Sequence, residues 1–287
     1  MSRKKPAIIV ISSHVVRGTV GNRAAAFALE VMGFDVWCVP TVTLPWHPGH
    51  GPSTRVVPPE DAFATMLSEL GSSPWLGDVG AVLTGFLGSA GQVEPVAQLV
   101  ERLKSRNPDS LYALDPVLGD ADALYIPEAQ AMAIRDRLLP LADLVTPNRF
   151  ELGWLSGQFS IERQEEALEA ALKLPTKMVL ATSTPAMMIN ATGNLLVHNG
   201  KASVAEHPAL DGPPNGLGDL TAALMIGHLI NSKSPLDALK ATTASVFEVM
   251  SISARAGRDE LALEQSISSL IEPRTEIQLR TLQIRKR

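Results

Sequence analysis

Six short apolar runs constrain the fold most strongly. They cover residues 7–11, 35–39, 81–84, 111–115, 144–146 and 178–182, and each ends in small, hydroxylated or acidic residues. None alternates strictly between apolar and polar, so each suits a strand covered on both faces, as in a parallel sheet with crossover helices. The intervening segments supply such helices. Val93, Val96, Ala97, Val100 and Leu103 follow helical spacing, and Gly91 and Pro108 bracket them. Residues 186–190 and 195–198, joined by Ala-Thr-Gly-Asn, read as a hairpin that gives the sheet an antiparallel edge. The remainder reads as helical until residues 276–284, whose alternation predicts a late strand, and the final Arg-Lys-Arg reads as a solvated tail. No repeat or low-complexity linker divides the 287 residues, so one domain over 1–287 is expected.

The polar strand ends are Ser12-Ser13-His14, residues 45–51, Thr84-Gly85, Asp115-Pro116, Thr146-Pro147-Asn148 and Thr182-Ser183-Thr184. Any one of them has ordinary turn composition. Six in series predict an active site, because open α/β sheets bind ligands beyond the carboxyl ends of their strands.

A formal net charge of −5 offers no basic face for a nucleic-acid backbone. No apolar run reaches membrane-spanning length, and the stretch after the basic Met-Ser-Arg-Lys-Lys-Pro start is too short for a signal peptide. The single cysteine, Cys38, leaves no internal disulfide and no cysteine-based zinc site. It reads as a buried strand residue with nothing nearby to lower its pKa. A cytoplasmic protein without nucleic-acid or membrane partners is expected.

Three constellations could carry chemistry. In Asn215-Gly216-Leu217-Gly218-Asp219, two glycines precede the helical run 220–230, so backbone N–H groups and the helix dipole can form an anion hole. Asp219 could cap that helix, or could deprotonate a hydroxyl as it attacks phosphorus. No Gly-x4-Gly-Lys-Ser/Thr loop is present, and Gly85-Phe86-Leu87-Gly88 does not supply one, which excludes a P-loop NTPase.

Asp115 in Asp115-Pro116-Val117-Leu118-Gly119-Asp120 and Glu151 in Thr146-Pro147-Asn148-Arg149-Phe150-Glu151 are candidates to hold Mg²⁺. Glu151 is equally at home in the first turn of a helix. His47 and His50 in Pro45-Trp46-His47-Pro48-Gly49-His50-Gly51 could be read as a metal pair. A third ligand is not evident, and a loop that touches an aromatic or heterocyclic substrate is favoured. Residues 40–59, rich in Pro, Gly and His, are the candidate closing loop. His14 suits a packed histidine as well as a ligand contact.

The segment from Ser12 to Ala25, Thr84–Gly88, 115–120, 124–128, 146–151 and Gly216–Asp219 resemble, in the same order, segments of the pyridoxal kinases of the ribokinase superfamily. The resemblance implies a ribokinase-like three-layer fold, with a mostly parallel central sheet between helices and antiparallel edge strands. It also implies transfer of the ATP γ-phosphoryl group to the 5′-hydroxymethyl of pyridoxal, pyridoxine or pyridoxamine by a homodimer. Asp219 would be the base, and the N–H groups of Gly216, Leu217 and Gly218 would form the anion hole. Ser13, Val20, His47, Phe86 and Asp219 itself fall at substrate-binding positions.

For the nucleotide, the resemblance implies Asp115, Asp120, Tyr125, Asn148, Glu151, Thr182, Ser183, Leu217 and Gly218. Asp115 and Glu151 would belong to the Mg²⁺ environment, and Asp115, Thr146 and Thr182 to that of a monovalent cation such as K⁺. Phe86 stands where the family usually has Tyr, Pro48 where it often has Thr, and Leu217 where some members have Thr. These departures bear on substrate preference. They keep two other readings open: a kinase of another hydroxymethyl heterocycle, such as a hydroxymethylpyrimidine, or a pyridoxal phosphate-binding protein with little turnover.

Overall fold

Side chains along the first strand divide cleanly between two cores. Ile8 and Val10 pack on one side, Ile9 and Ile11 on the other, and all four are fully buried. This period-two division of an all-apolar run requires helices on both faces. A computed structural model describes residues 5–120 and 123–284. Residues 1–4 of the basic start and the Arg285-Lys286-Arg287 tail lie outside the described residues.

The strands are β1 (Ala7–Val15), β2 (Val36–Leu44), β3 (Val79–Thr84), β4 (Leu111–Leu114), β5 (Gly119–Asp120), β6 (Ala123–Leu124), β7 (Leu144–Val145), β8 (Met178–Pro185), β9 (Ala191–His198), β10 (Lys201–Pro208) and β11 (Leu279–Leu282). Nine of them form one sheet in the order β2-β1-β3-β4-β7-β8-β9-β10-β11, and β5 pairs with β6 separately. Pairing is parallel from β2 to β8 and antiparallel from β8 to β11. All six expected parallel strands are present, as is the late strand.

The helices are α1 (Asn22–Val31), α2 (Glu60–Ser72), α3 (Val93–Arg106), α4 (Glu128–Ala133), α5 (Arg149–Ser156), α6 (Gln164–Leu172), α7 (Leu217–Ile230), α8 (Pro235–Arg255) and α9 (Ile267–Ile271). Residues of α1, α7 and α8 share a core with Ile8, Val10 and Leu83, while α2, α3 and α6 pack with Ile9, Ile11 and Val82. The three layers are helices, sheet, helices. α7 is buried along its whole length from Leu220 to His228, which explains why its sequence is apolar all round. No helix among the described residues is long and apolar enough to cross a membrane.

The expected hairpin is displaced. Residues 186–190 form the loop between β8 and β9, and the segment read as its turn, Ala191-Thr192-Gly193-Asn194, lies inside β9. Glu206 holds that loop by accepting the N–H groups of Met187 and Met188, each at 3.1 Å. The tight turn is Asn199-Gly200, both with positive φ, joining β9 to β10. β10 itself falls in a region read as helical. Cys38 is also corrected: it is exposed on the edge strand β2, and partial burial and the Glu30 carboxylate push its thiol pKa up.

Candidate active site

From β1 the chain steps outward to β2 and then returns to β3 on the opposite side. The loops leaving β1 and β3 therefore diverge and open a crevice at their carboxyl ends. Ser12-Ser13-His14, expected just beyond a strand, lies within β1, which runs on to Val15 beside Leu44 of β2. The register slips between Ser12 and His14, a bulge of the kind that re-aims side chains. Ser13 and Val15 thereby line a cavity of about 560 Å³, together with Val20, His47, Phe86, Asn215, Gly216 and Asp219. A second cavity, about 250 Å³, is lined by Thr182, Ser183, His207, Leu217 and Gly218, among others.

The first turn of α7 stands between the two cavities. Gly216 precedes it at φ +99°, and a Cβ there would come within 2.4 Å of the Thr19 carbonyl oxygen, so only glycine fits. Leu217 and Gly218 face the smaller cavity, while Gly216 and Asp219 face the larger. Asp219 is the third helical residue and not the cap, a position that Gly216 takes without side-chain help. Its carboxylate accepts the Gly21 N–H and lies beside Gly85, where a Cβ would stand 3.8 Å from Oδ1. Burial pushes this carboxyl up to about 6, against the opposing N–H groups of Gly21 and of Asp219 itself.

Two more carboxylates lie close by. Asp115, at the end of β4, is buried, and its Oδ2 lies 3.9 Å from the place where a Gly218 Cβ would be. Burial, then the charges of Glu151 and Asp219, hold its pKa well above the usual carboxylate range, and the neighbouring Thr146 opposes them. Glu151 forms a reciprocal cap with Asn148: Asn148 Oδ1 accepts the Glu151 N–H at 2.9 Å, and Glu151 Oε2 accepts the Asn148 N–H at 2.8 Å. Its Oε1 accepts from Leu118 at 2.8 Å and Gly119 at 3.4 Å. The helix-start reading of Glu151 is thus realised, and burial still raises its pKa to about 7. Thr182 donates its N–H to Pro147 at 2.9 Å, and a bulge between Ala181 and Thr184 turns Thr182 and Ser183 toward the smaller cavity.

Residues 45–59 form the loop over the larger cavity; residues 40–44, expected to belong to it, continue β2 instead. A 3-10 turn, Pro48–His50, begins after His47, whose Nδ1 accepts the Gly49 N–H at 3.2 Å. Burial lowers the His47 pKa. His50 points away from a metal role: its Nε2 lies 2.8 Å from Glu260 Oε1 and its Nδ1 3.3 Å from Asp259. Tyr125, expected at the nucleotide, lines the larger cavity, because its N–H bonds the Leu118 carbonyl and folds the β5–β6 ribbon back. Its hydroxyl pKa rises to about 12 through partial burial and the charges of Asp120 and Glu151, which places exposed Asp120 on the same side. His14 is half-buried and bridges Gly21.

Arg55, His207 and Glu260 are site residues that the sequence reading missed. The Asn199-Gly200 turn signal would have revealed β10, and with it His207. Glu260 carried no local signal.

Residues 75–263 match a family model described as phosphomethylpyrimidine kinase. A pyridoxal kinase of Corynebacterium diphtheriae is 32% identical over 277 residues, 95% of this chain and 98% of that protein. The chain belongs to the pyridoxal kinase family. Its fold is that of the ribokinase-like superfamily. The pyridoxal kinase of Leishmania donovani, solved in complex with ADP and pyridoxamine, superposes with a TM-score of 0.90 at 28% identity, covering 97% of this chain and all of that one. A putative phosphomethylpyrimidine kinase from Bacteroides thetaiotaomicron superposes with a TM-score of 0.85 at 25% identity, over 98% and 99% of the two chains.

Proposed function

We propose that this chain, acting as one kinase domain over residues 1–287, transfers the γ-phosphoryl group of ATP to the 5′-hydroxymethyl group of pyridoxal, and of pyridoxine or pyridoxamine, with Asp219 as general base. An ATP-dependent kinase of vitamin B6 is what family membership makes it. The assignment of roles rests on one observation: the first turn of α7 divides two cavities, with Asp219 on one side and Leu217 and Gly218 on the other. The heterocycle occupies the larger cavity, between Ser13, Val20, His47 and Phe86. The nucleotide occupies the smaller, against Thr182 and Ser183, with its phosphates reaching Asn148 and Asp120.

Asp219 takes the hydroxyl proton as that oxygen bonds to the γ-phosphorus. The bond from phosphorus to the β-γ bridging oxygen breaks, and ADP leaves. N–H groups at Gly216, Leu217 and Gly218 have no intrahelical partners and stabilise the charge on the phosphoryl in transit.

Mg²⁺ fits the residues present. The donors are all oxygen, the charges acting on Asp115 are those of two other carboxylates, and the group gains stability from a hard cation. Among the described residues no three His, Cys, Asp or Glu side chains could enclose a metal. Asp115 and Glu151 would therefore hold it together with water and phosphate. It would neutralise the charge of the phosphates. Asp115, Thr146 and Thr182 form the oxygen-bearing neighbourhood for K⁺. A homodimer in the cytoplasm belongs to the same reading, carried by the family resemblance.

The family model's description favours a second reading, phosphorylation of a hydroxymethylpyrimidine. Initial-rate ATP consumption with pyridoxal, pyridoxine, pyridoxamine and hydroxymethylpyrimidine, each with Mg²⁺ and K⁺, separates the two. Turnover on B6 vitamers at the higher kcat/KM is expected; turnover on the pyrimidine alone would overturn the proposal. Binding of pyridoxal phosphate without turnover on any substrate would make the chain a binding protein.

A further inference from the structure

The larger cavity has in its lining a cation, Arg55, that no step of phosphoryl transfer uses. Asp219 is the one carboxylate among its lining residues, and Arg55 the one permanent cation, since burial holds His47 toward its neutral form. The Arg55 guanidinium lies over the Phe86 ring, 5.5 Å from its centroid.

Both partners are fixed by backbone. Val56 and Thr43 exchange two hydrogen bonds of 2.9 and 3.0 Å, which stitch the covering loop to the end of β2 one residue after Arg55. The Phe86 carbonyl accepts the buried Thr41 hydroxyl at 2.7 Å. Among the described residues the Arg55 guanidinium has the Phe86 ring as its contact and no carboxylate within salt-bridge reach. An arginine spread on an aromatic face, with its N–H edge uncommitted, is arranged to take an oxyanion.

We infer that Arg55 selects substrates that carry an anionic oxygen on the ring bearing the hydroxymethyl group, and disfavours heterocycles without one; this rests on the B6 reading above. A 3-hydroxypyridine with a protonated ring nitrogen gives up its phenolic proton readily, so the B6 vitamers present a ring oxide near neutral pH. A hydroxymethyl aminopyrimidine presents none. Without a cation in the lining, the field of Asp219 would act against that anionic oxygen in the same cavity. Phe86 has no hydroxyl to donate to that oxygen, and Arg55 stands over the same ring.

The test compares pyridoxine with its 3-deoxy analogue in the wild type, Arg55→Met and Arg55→Lys. Loss of a charge-assisted contact in Arg55→Met raises KM for pyridoxine about tenfold or more. KM for the 3-deoxy analogue, KM for ATP and kcat stay within about twofold in that variant, because only the ring contact is removed. Arg55→Lys recovers part of the loss, since it keeps the charge but not the planar fork.

Equal changes in KM for both compounds, or none for either, overturn the inference and leave the kinase reading standing. A change confined to inhibition by the phosphorylated product would assign Arg55 to the product phosphate and also overturn it. If the wild type turns over no B6 vitamer, both readings fall.

Discussion

His50 and Glu260, 210 positions apart in sequence, meet with Nε2 2.8 Å from Oε1. The other oxygen of Glu260 accepts the Thr19 N–H at 2.5 Å, and the Glu260 backbone bridges to Asn215. One buried carboxylate thus ties the covering loop, the β1–α1 loop and the segment entering α7. Glu260→Ala is expected to raise KM for pyridoxal about tenfold, because two hydrogen bonds worth about 1 kcal/mol each are lost around that cavity. KM for ATP should stay within about twofold, since the smaller cavity is untouched. Steady-state kinetics with each substrate varied checks this. Equal changes in both KM values would reduce Glu260 to a general structural role.

Asp219 has a carboxyl ordinarily near 3.8 and here near 6. A base must be ionised, so kcat/KM should fall about tenfold per pH unit below about 6. The stability effect has the opposite sense. A raised acid pKa stabilises the folded state fully below 3.8, and that contribution is lost as pH rises through about 6. Asp219→Asn should therefore be more stable than the wild type at pH 8, by at most about 3 kcal/mol, and equal to it below pH 4. Melting curves across that range measure the difference; a flat difference would exclude this charge as its source.

Glu151 keeps its cap contacts best in the isosteric amide. Glu151→Gln should fold with a stability loss of about 1–2 kcal/mol, and Glu151→Ala should lose more, because three backbone N–H donors lose a partner. Both variants should need about tenfold more Mg²⁺ for half-maximal rate if this carboxylate helps to hold the ion. Mg²⁺ titration of the rate decides it, and an unchanged midpoint would leave Glu151 with its capping role alone.

Gly216→Ala places a Cβ against the Thr19 carbonyl at φ +99°. The strain is expected to cost about 1–3 kcal/mol of stability. Displacing the anion-hole donors should lower kcat by about 10²-fold. Thermal melts and single-turnover rates test the two effects separately.

The parallel half of the sheet was legible because strands buried on both faces leave continuous apolar runs, and residues 7–11 and 178–182 are such runs. The antiparallel half was legible only in part. Leu195 and Leu196 show as apolar, but Gly193 within β9 resembles a turn residue, whereas the structure places it opposite Thr184. Asp219 and Asp115 sit at a helix start and a strand end, positions that follow from local pattern, whereas Ser13 falls at a bulge inside β1. Glu260 and Arg55 act through contacts with remote segments, and no periodicity or motif reports those. Tyr125 lies in a recognisable segment, while its backbone hydrogen bond to Leu118 and its place in the lining of the larger cavity have no sequence signal.

The most direct test of the account is single-turnover formation of pyridoxal 5′-phosphate from pyridoxal and ATP, with product identified by ³¹P NMR, in the wild type and Asp219→Asn. The wild type should give one phosphorylated pyridoxal per ADP. Asp219→Asn should bind pyridoxal with near-wild-type affinity and lose about 10²–10⁴-fold in rate, the range for a general base. An undiminished rate in Asp219→Asn, or ADP released by the wild type without phosphorylated pyridoxal, would contradict it.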